Sequence, residues 1–162
     1  MGVSTESIRR DIRKPIERVG CEAYLSADQS DLASGVWTKV SLNTVMYDLG
    51  LNFNTTLFKF VIPVTGLYAL HGKIDFGNVI ANKAYAVGIY VNGVLTIHNY
   101  AHIGSATDEV DSYVAHDVYL EKDDYVELYA LSLAGVDTVD IGGGMYHTLL
   151  GVRLITKEGI RQ

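Results

Sequence analysis

The alternation of apolar and polar residues is clearest over residues 56–75, TLFKFVIPVTGLYALHGKID. Phe58, Phe60 and Ile62 alternate with Leu57, Lys59 and Val61, the two-residue period of a β-strand. Pro63, Thr65 and Gly66 punctuate a turn. The alternation resumes over residues 67–74, with Tyr68 and Leu70 on one face and Leu67, Ala69 and His71 on the other. The second face is small, apolar or mildly polar. Both faces therefore read as covered, one by the chain's own core and the other by a partner chain.

The same period predicts strands over residues 21–27, 36–42, 84–90, 95–100, 113–120, 125–133 and 146–155. Val126, Leu128 and Ala130 share one face of their strand, and Leu150, Val152 and Leu154 share one face of the last. Asn92-Gly93 predicts a tight hairpin, because both residues accept the positive φ such a turn needs. Residues 28–35, 47–54, 101–111 and 134–144 read as turns and loops, and Trp37 is expected at a core edge. Roughly eight to ten short strands with regular turns, and no helical period after residue 20, predict a β-sandwich or jelly roll.

Residues 1–20 differ. Arg9, Arg10, Arg13 and Lys14 gather four cations, and Ile8, Ile12 and Ile16 recur at helical spacing. Ser4 or Thr5 stands where a helix cap would, and Pro15 would kink or end the helix. Two readings stand side by side: a solvated tail, or an arm that docks on an acidic partner or on its symmetry mates.

A chain of 162 residues is one domain by length, and its tyrosine, valine and threonine with 16 glycines favour an all-β fold. The net charge of −6 argues against nucleic acid as the main partner. Cys21 is the single cysteine, which excludes an intrachain disulfide and a cysteine-based metal site, and it reads as a small buried side chain. No apolar run reaches membrane-spanning length, and residues 1–20 lack the apolar centre of a signal peptide. The expectation is a soluble product that reaches the exterior, if at all, by another route such as release in a virus particle.

Little in the sequence points to catalysis. His98 and His102 are four apart, but on a strand running into a loop rather than on a helix, which disfavours zinc. Asp108, Glu109, Asp111, Asp137 and Asp140 lie in two loops and are the calcium candidates, without the spacing of a dedicated calcium loop. A solvated acidic rim is the favoured reading of them. Gly142-Gly143-Gly144 lacks the Lys-Ser/Thr of a phosphate loop, and no nucleophile elbow is present. The expectation is a protein without enzymatic activity and without a cofactor.

Four segments in order carry a resemblance: Trp37-Thr38-Lys39-Val40 with Tyr47-Asp48-Leu49-Gly50; residues 60–68, FVIPVTGLY; residues 120–128, LEKDDYVEL; and residues 150–154, LGVRL. Together they resemble the complement C1q/tumour-necrosis-factor-like jelly-roll domain over residues 21–156, in wording closest to its bacterial and phage members. Asp123 stands where the family usually has Gly, and Leu149 near where an aromatic is usual. The resemblance implies a ten-stranded, two-sheet jelly roll that assembles as a homotrimer; outside its span, residues 1–20 read as a basic arm and 157–162 as a charged tail. It implies an interface of Ala69, His71, Tyr113, Ala115, Leu149, Gly151 and Arg153 around a three-fold axis. Arg153 then needs a carboxylate partner, for which Asp117 and Glu127 are candidates. The functional expectation is a phage virion surface protein, a capsid decoration or a tail or fibre knob. Its arm, with Ile8, Arg9, Arg10, Ile12, Arg13 and Lys14, would attach it to a capsid or tail protein. The alternative is an extracellular module that binds a glycan or a protein.

Overall fold

The structure, a computed structural model, describes residues 18–105 and 109–158. The arm residues Ile8, Arg9, Arg10, Ile12, Arg13 and Lys14, and the calcium candidate Asp108, lie outside the described residues.

Among the described residues thirteen strands run in order: β1 Gly20–Tyr24, β2 Gln29–Leu32, β3 Thr38–Lys39, β4 Thr44–Leu49, β5 Phe53–Asn54, β6 Lys59–Val61, β7 Gly66–Gly77, β8 Ala84–Val91, β9 Val94–His102, β10 Glu109–Leu120, β11 Tyr125–Ser132, β12 Val139–Ile141 and β13 Leu149–Lys157. They form two antiparallel sheets, the jelly-roll sandwich expected from the pattern. One has the order β2-β12-β7-β13-β1-β4, with β10 on the other side of β7; the second has the order β5-β6-β11-β8-β9, with β3 also on β11. Strand β7 pairs with β10 along its whole length and with β13 from Gly66 to Lys73. It is therefore the spine of the first sheet.

Alternation decides what fills the sandwich. Tyr68, Leu70, Ile74 and Phe76 of β7 are buried, facing Val126, Leu128 and Ala130 of β11 and Tyr85, Val87 and Ile89 of β8. Each large side chain removed from water here contributes about 1.5–3 kcal/mol before ordering costs. The two buried tyrosines keep their hydroxyls satisfied. Tyr68 donates to the Val64 carbonyl at 2.7 Å, and the Tyr85 hydroxyl accepts the Ile80 N–H at 2.7 Å, which holds the 78–83 connection against the core.

Several segments differ from the sequence reading, each for a local reason. Residues 55–58 form a turn instead of a strand, and Phe58 has φ 51°. The Asn54 side-chain oxygen accepts the N–H groups of Thr56 and Leu57 at 2.9 and 2.8 Å and so competes with the ladder. Residues 47–49, read as loop, are the end of strand β4 because β1 supplies a pairing edge. Short strands β2 and β12 likewise arise inside the segments read as loops, by pairing with each other. Trp37 is not at a core edge. Its indole lies on the outward face of the second sheet, where a Cβ on Gly88 would stand 2.7 Å from the ring.

Asn92 and Gly93 have φ 51° and 76°, the conformation the hairpin required. Asn92 adds a long-range role, accepting the Tyr125 N–H at 3.0 Å and donating to Asp124 at 2.7 Å. Asp123, the residue that replaces the usual Gly, has φ 74°. Left-handed geometry is strained for a residue with a Cβ. Asp123→Gly is expected to raise stability by about 0.5–1 kcal/mol, seen as a few degrees in Tm. An unchanged or lower Tm would show that the turn is not strained.

Candidate functional site

Among the described residues the outward face of the first sheet has no second layer over it. In spatial order its strands are β4, β1, β13, β7 and β10. Cross-strand register aligns the predicted residues in rows: Gly20, Arg153, Ala69 and Asp117 in one, and Glu22, Gly151, His71 and Ala115 in the next. A third row holds Tyr24, Leu149, Lys73 and Tyr113. All seven residues expected at the interface thus share one face of one sheet.

The face has a graded composition. Its centre, on β13 and β7, is kept low by Ala69 and Gly151. Its two sides carry large side chains, Tyr47 and Leu49 on β4 and Tyr113 and Tyr119 on β10, each 40–53% exposed. Tyr47, Leu49 and Tyr119 did not emerge from the sequence as members. Tyr47 and Leu49 were hidden because β4 exists only by pairing with β1, although Tyr119 follows from the alternation on β10.

At the centre, the His71 ring lies across Gly151, where a Cβ would come within van der Waals exclusion of the imidazole. From there its Nε2 stands 3.8 Å from a Glu22 carboxylate oxygen, an ion pair only when the imidazole is protonated. Gly151 is therefore the seat of a cross-strand bridge spanning β7, β13 and β1. Arg153 has no carboxylate within ion-pair distance among the described residues. Glu127 is excluded as its partner, since it lies on the second sheet and binds Lys39 at 2.6 Å. Asp117 lies on Arg153's own row, one strand beyond Ala69. Burial, then the Glu22 carboxylate, push the Tyr47 hydroxyl above its ordinary pKa, with Arg153 pulling the other way.

One end of the face is closed by the segment before β13. His147 Nδ1 bonds the buried Asp75 carboxylate at 2.5 Å, and the Asp75 N–H donates to Thr148 Oγ1 at 3.2 Å. Lys73 pairs with Asp111 at 3.1 Å and donates to the Tyr146 carbonyl at 3.0 Å. These bonds pin residues 142–148 to β7. They also occupy the calcium candidates differently from a metal site. Asp111 holds Lys73, Asp137 accepts the Ser34 N–H at 2.7 Å, and Asp140 accepts from Asp31 and Asn78. Among the described residues no three His, Cys, Asp or Glu side chains gather where they would hold a metal ion. Cys21 faces the core, and burial, then Asp48 and Glu22, push its thiol up to about 12, away from nucleophilic use.

No family model matches the chain, and no curated protein matches it in sequence. Solved structures do share the fold. The globular domain of zebrafish complement 1qA superposes with a TM-score of 0.64 at 12% identity, covering 87% of this chain and 99% of that one. Murine APRIL at pH 5.0 gives 0.62 at 15% identity, covering 85% and 99%. Both are C1q/TNF-like jelly rolls, and the fold of this chain is of that class.

A Cβ at position 151 must displace His71. Gly151→Ala is expected to cost about 1–3 kcal/mol in chemical denaturation, and the Gly151→Ala/His71→Ala pair to recover much of that loss. Additive losses in the double variant would refute the seat.

Proposed function

We propose that the chain is a non-enzymatic homotrimer with a structural and binding role. The observation that carries this reading is the open face of β4, β1, β13, β7 and β10, with aromatic and aliphatic side chains at both sides and a low centre. A three-fold ring needs a heterologous contact, in which one patch of each subunit meets a different patch of the next. The β4 side and the β10 side are two such patches, and they flank Ala69, Gly151 and Arg153 at the strip nearest an axis. The Arg153 guanidinium, without a carboxylate partner among the described residues, and the Asp117 carboxylate supply complementary charge between subunits. Exposed aromatic surface of this kind is what stable interfaces bury.

The finer reading is a phage virion surface protein, a capsid decoration or a tail or fibre knob. Its support is the basic arm, with Arg9, Arg10, Arg13 and Lys14 in a chain of net charge −6, and the resemblance to phage members of the fold. The arm would bind an acidic capsid or tail protein, leaving the opposite loops toward solvent. A second reading, an extracellular module for a glycan or a protein, draws support from the outward face of the second sheet. Among the described residues no helix is long and apolar enough to cross a membrane.

Light scattering on the purified chain is expected to give three times the 17.8 kDa chain mass. Tyr113→Glu is expected to reduce it to one chain mass by burying a charge in the contact. A monodisperse single chain for the unaltered protein at micromolar concentration would end the proposal. Deleting residues 1–17, which spares Val19 of the core and Gly20 of β1, is expected to leave the trimer intact and to abolish binding to arm-free capsids of the same virus. Retained binding would remove the arm's role.

A further inference from the structure

The outward face of the second sheet carries six rings in unbroken succession: Tyr129, Tyr90, Trp37, His98, Tyr100 and His102. Their centroids are 4.0, 6.0, 6.4, 5.5 and 6.2 Å apart in that order. The fold builds this row from four places. Tyr129 is on β11, Tyr90 on β8, Trp37 precedes β3, and the other three alternate along β9. Small residues beneath make room for it. Gly88 lies opposite His98 in the ladder and under the indole, and Ala86 and Ala84 lie opposite Tyr100 and His102. His98, Tyr100 and His102 are exposed, and Trp37, Tyr90 and Tyr129 are half-buried.

The charge at this face is closed on itself. Lys39 bonds Glu127 and the Leu57 carbonyl, each at 2.6 Å, and Lys59 sits over the Tyr125 ring at 4.2 Å. Burial pushes up the Tyr90 hydroxyl, and burial and then Glu127 push up that of Tyr129, so both stay neutral donors. A nucleic-acid platform would set such rings in a basic groove, and here the lysine is taken by a carboxylate. An apolar peptide would need exposed aliphatic anchors along the row, and the exposed members are instead phenol and imidazole.

We infer that this aromatic row is a binding face for an uncharged, β-1,4-linked pyranose chain. The equatorial substituents of such a sugar leave a flat face of C–H groups, made partly positive by the ring oxygens. Those groups suit the negative face of an aromatic ring. The sugar hydroxyls at the ring edge require partners, which the phenols and imidazoles supply. An uncharged ligand also matches a face whose lysines are already engaged. The row lies on the sheet opposite the proposed trimer face and stays open when that face is covered. Three copies on one particle would add avidity. The inference gives the binding half of the proposed function a place and a ligand class and rests on that reading only there, since the row belongs to a single subunit.

Trp37 is the single tryptophan of the chain and reports on the row directly. Cellohexaose and chitohexaose are titrated into the full chain while Trp37 emission and calorimetric heat are followed, with dextran sulfate as the charged comparison. A saturable emission change with at least one neutral hexaose is expected. Tyr100→Ala and His98→Ala should each weaken it about ten-fold, Tyr100→Phe less, and Lys122→Ala in the exposed turn before β11 should leave it unchanged. Circular dichroism and light scattering on each variant establish that folding and assembly persist. Loss of trimerisation with intact hexaose binding would sink the assembly reading alone. The inference is overturned if neither hexaose perturbs Trp37 or gives heat up to about 10 mM. It is equally overturned if the Tyr100 and His98 variants bind as the parent does, if only dextran sulfate binds, or if a peptide displaces the bound hexaose without contacting the row.

Discussion

Strand β7 imposes the constraint from which the rest of the molecule follows. It is paired along its flanks by β10 and by β13, so its register is fixed on both sides. Eight of its twelve residues divide into a buried set, Tyr68, Leu70, Ile74 and Phe76, and an outward set, Leu67, Ala69, His71 and Lys73. A one-residue slip would exchange the two sets and put His71 and Lys73 among Val126 and Leu128. Burying those polar groups without partners would cost several kcal/mol each. The same alternation that seals the core therefore creates the open face behind it.

The two outward faces of the sandwich have different chemistry because different residues floor them. On the first sheet Gly151 and Ala69 keep the centre low, and His71 lies flat toward Glu22. Large side chains stand at either side of that centre, a shape suited to a neighbour of the same kind. On the second sheet Gly88, Ala86 and Ala84 floor a row of rings, and the lysines beside it are engaged by Glu127 and the Tyr125 ring. One domain thus separates the proposed assembly surface from the proposed recognition surface by the thickness of its core.

The loops are held by polar side chains that reach far along the chain. Asp75 and His147 tie residues 142–148 to β7, Asn92 ties the hairpin to β11, and Thr65 accepts the Lys122 N–H at 3.0 Å to dock two turns together. Bonds of this sort are worth about 1 kcal/mol each net, but leaving their buried partners unmade costs more. They explain why Asp111 of β10, Asp137 of the loop before β12 and Asp140 of β12 serve closure, each bonded elsewhere in the fold.

Periodicity alone determined the all-β class, the inward sets of β7, β11 and β13 and the Asn92-Gly93 hairpin, and it set the outward parity of the seven residues that the family resemblance assigned to an interface. Those properties are local, since a side chain's face follows from its place in a two-residue repeat. Tertiary pairing decided the rest. Strand β4, and with it Tyr47 and Leu49, exists because β1 offers an edge; Glu127 was removed from Arg153 because the two strands fall on different sheets. Trp37 sits on the outward face instead of a core edge because Gly88, fifty-one positions away in sequence, leaves bare backbone for its ring. No short window records which distant strand will lie beside it, and that adjacency is what assembles six rings from four segments into one row.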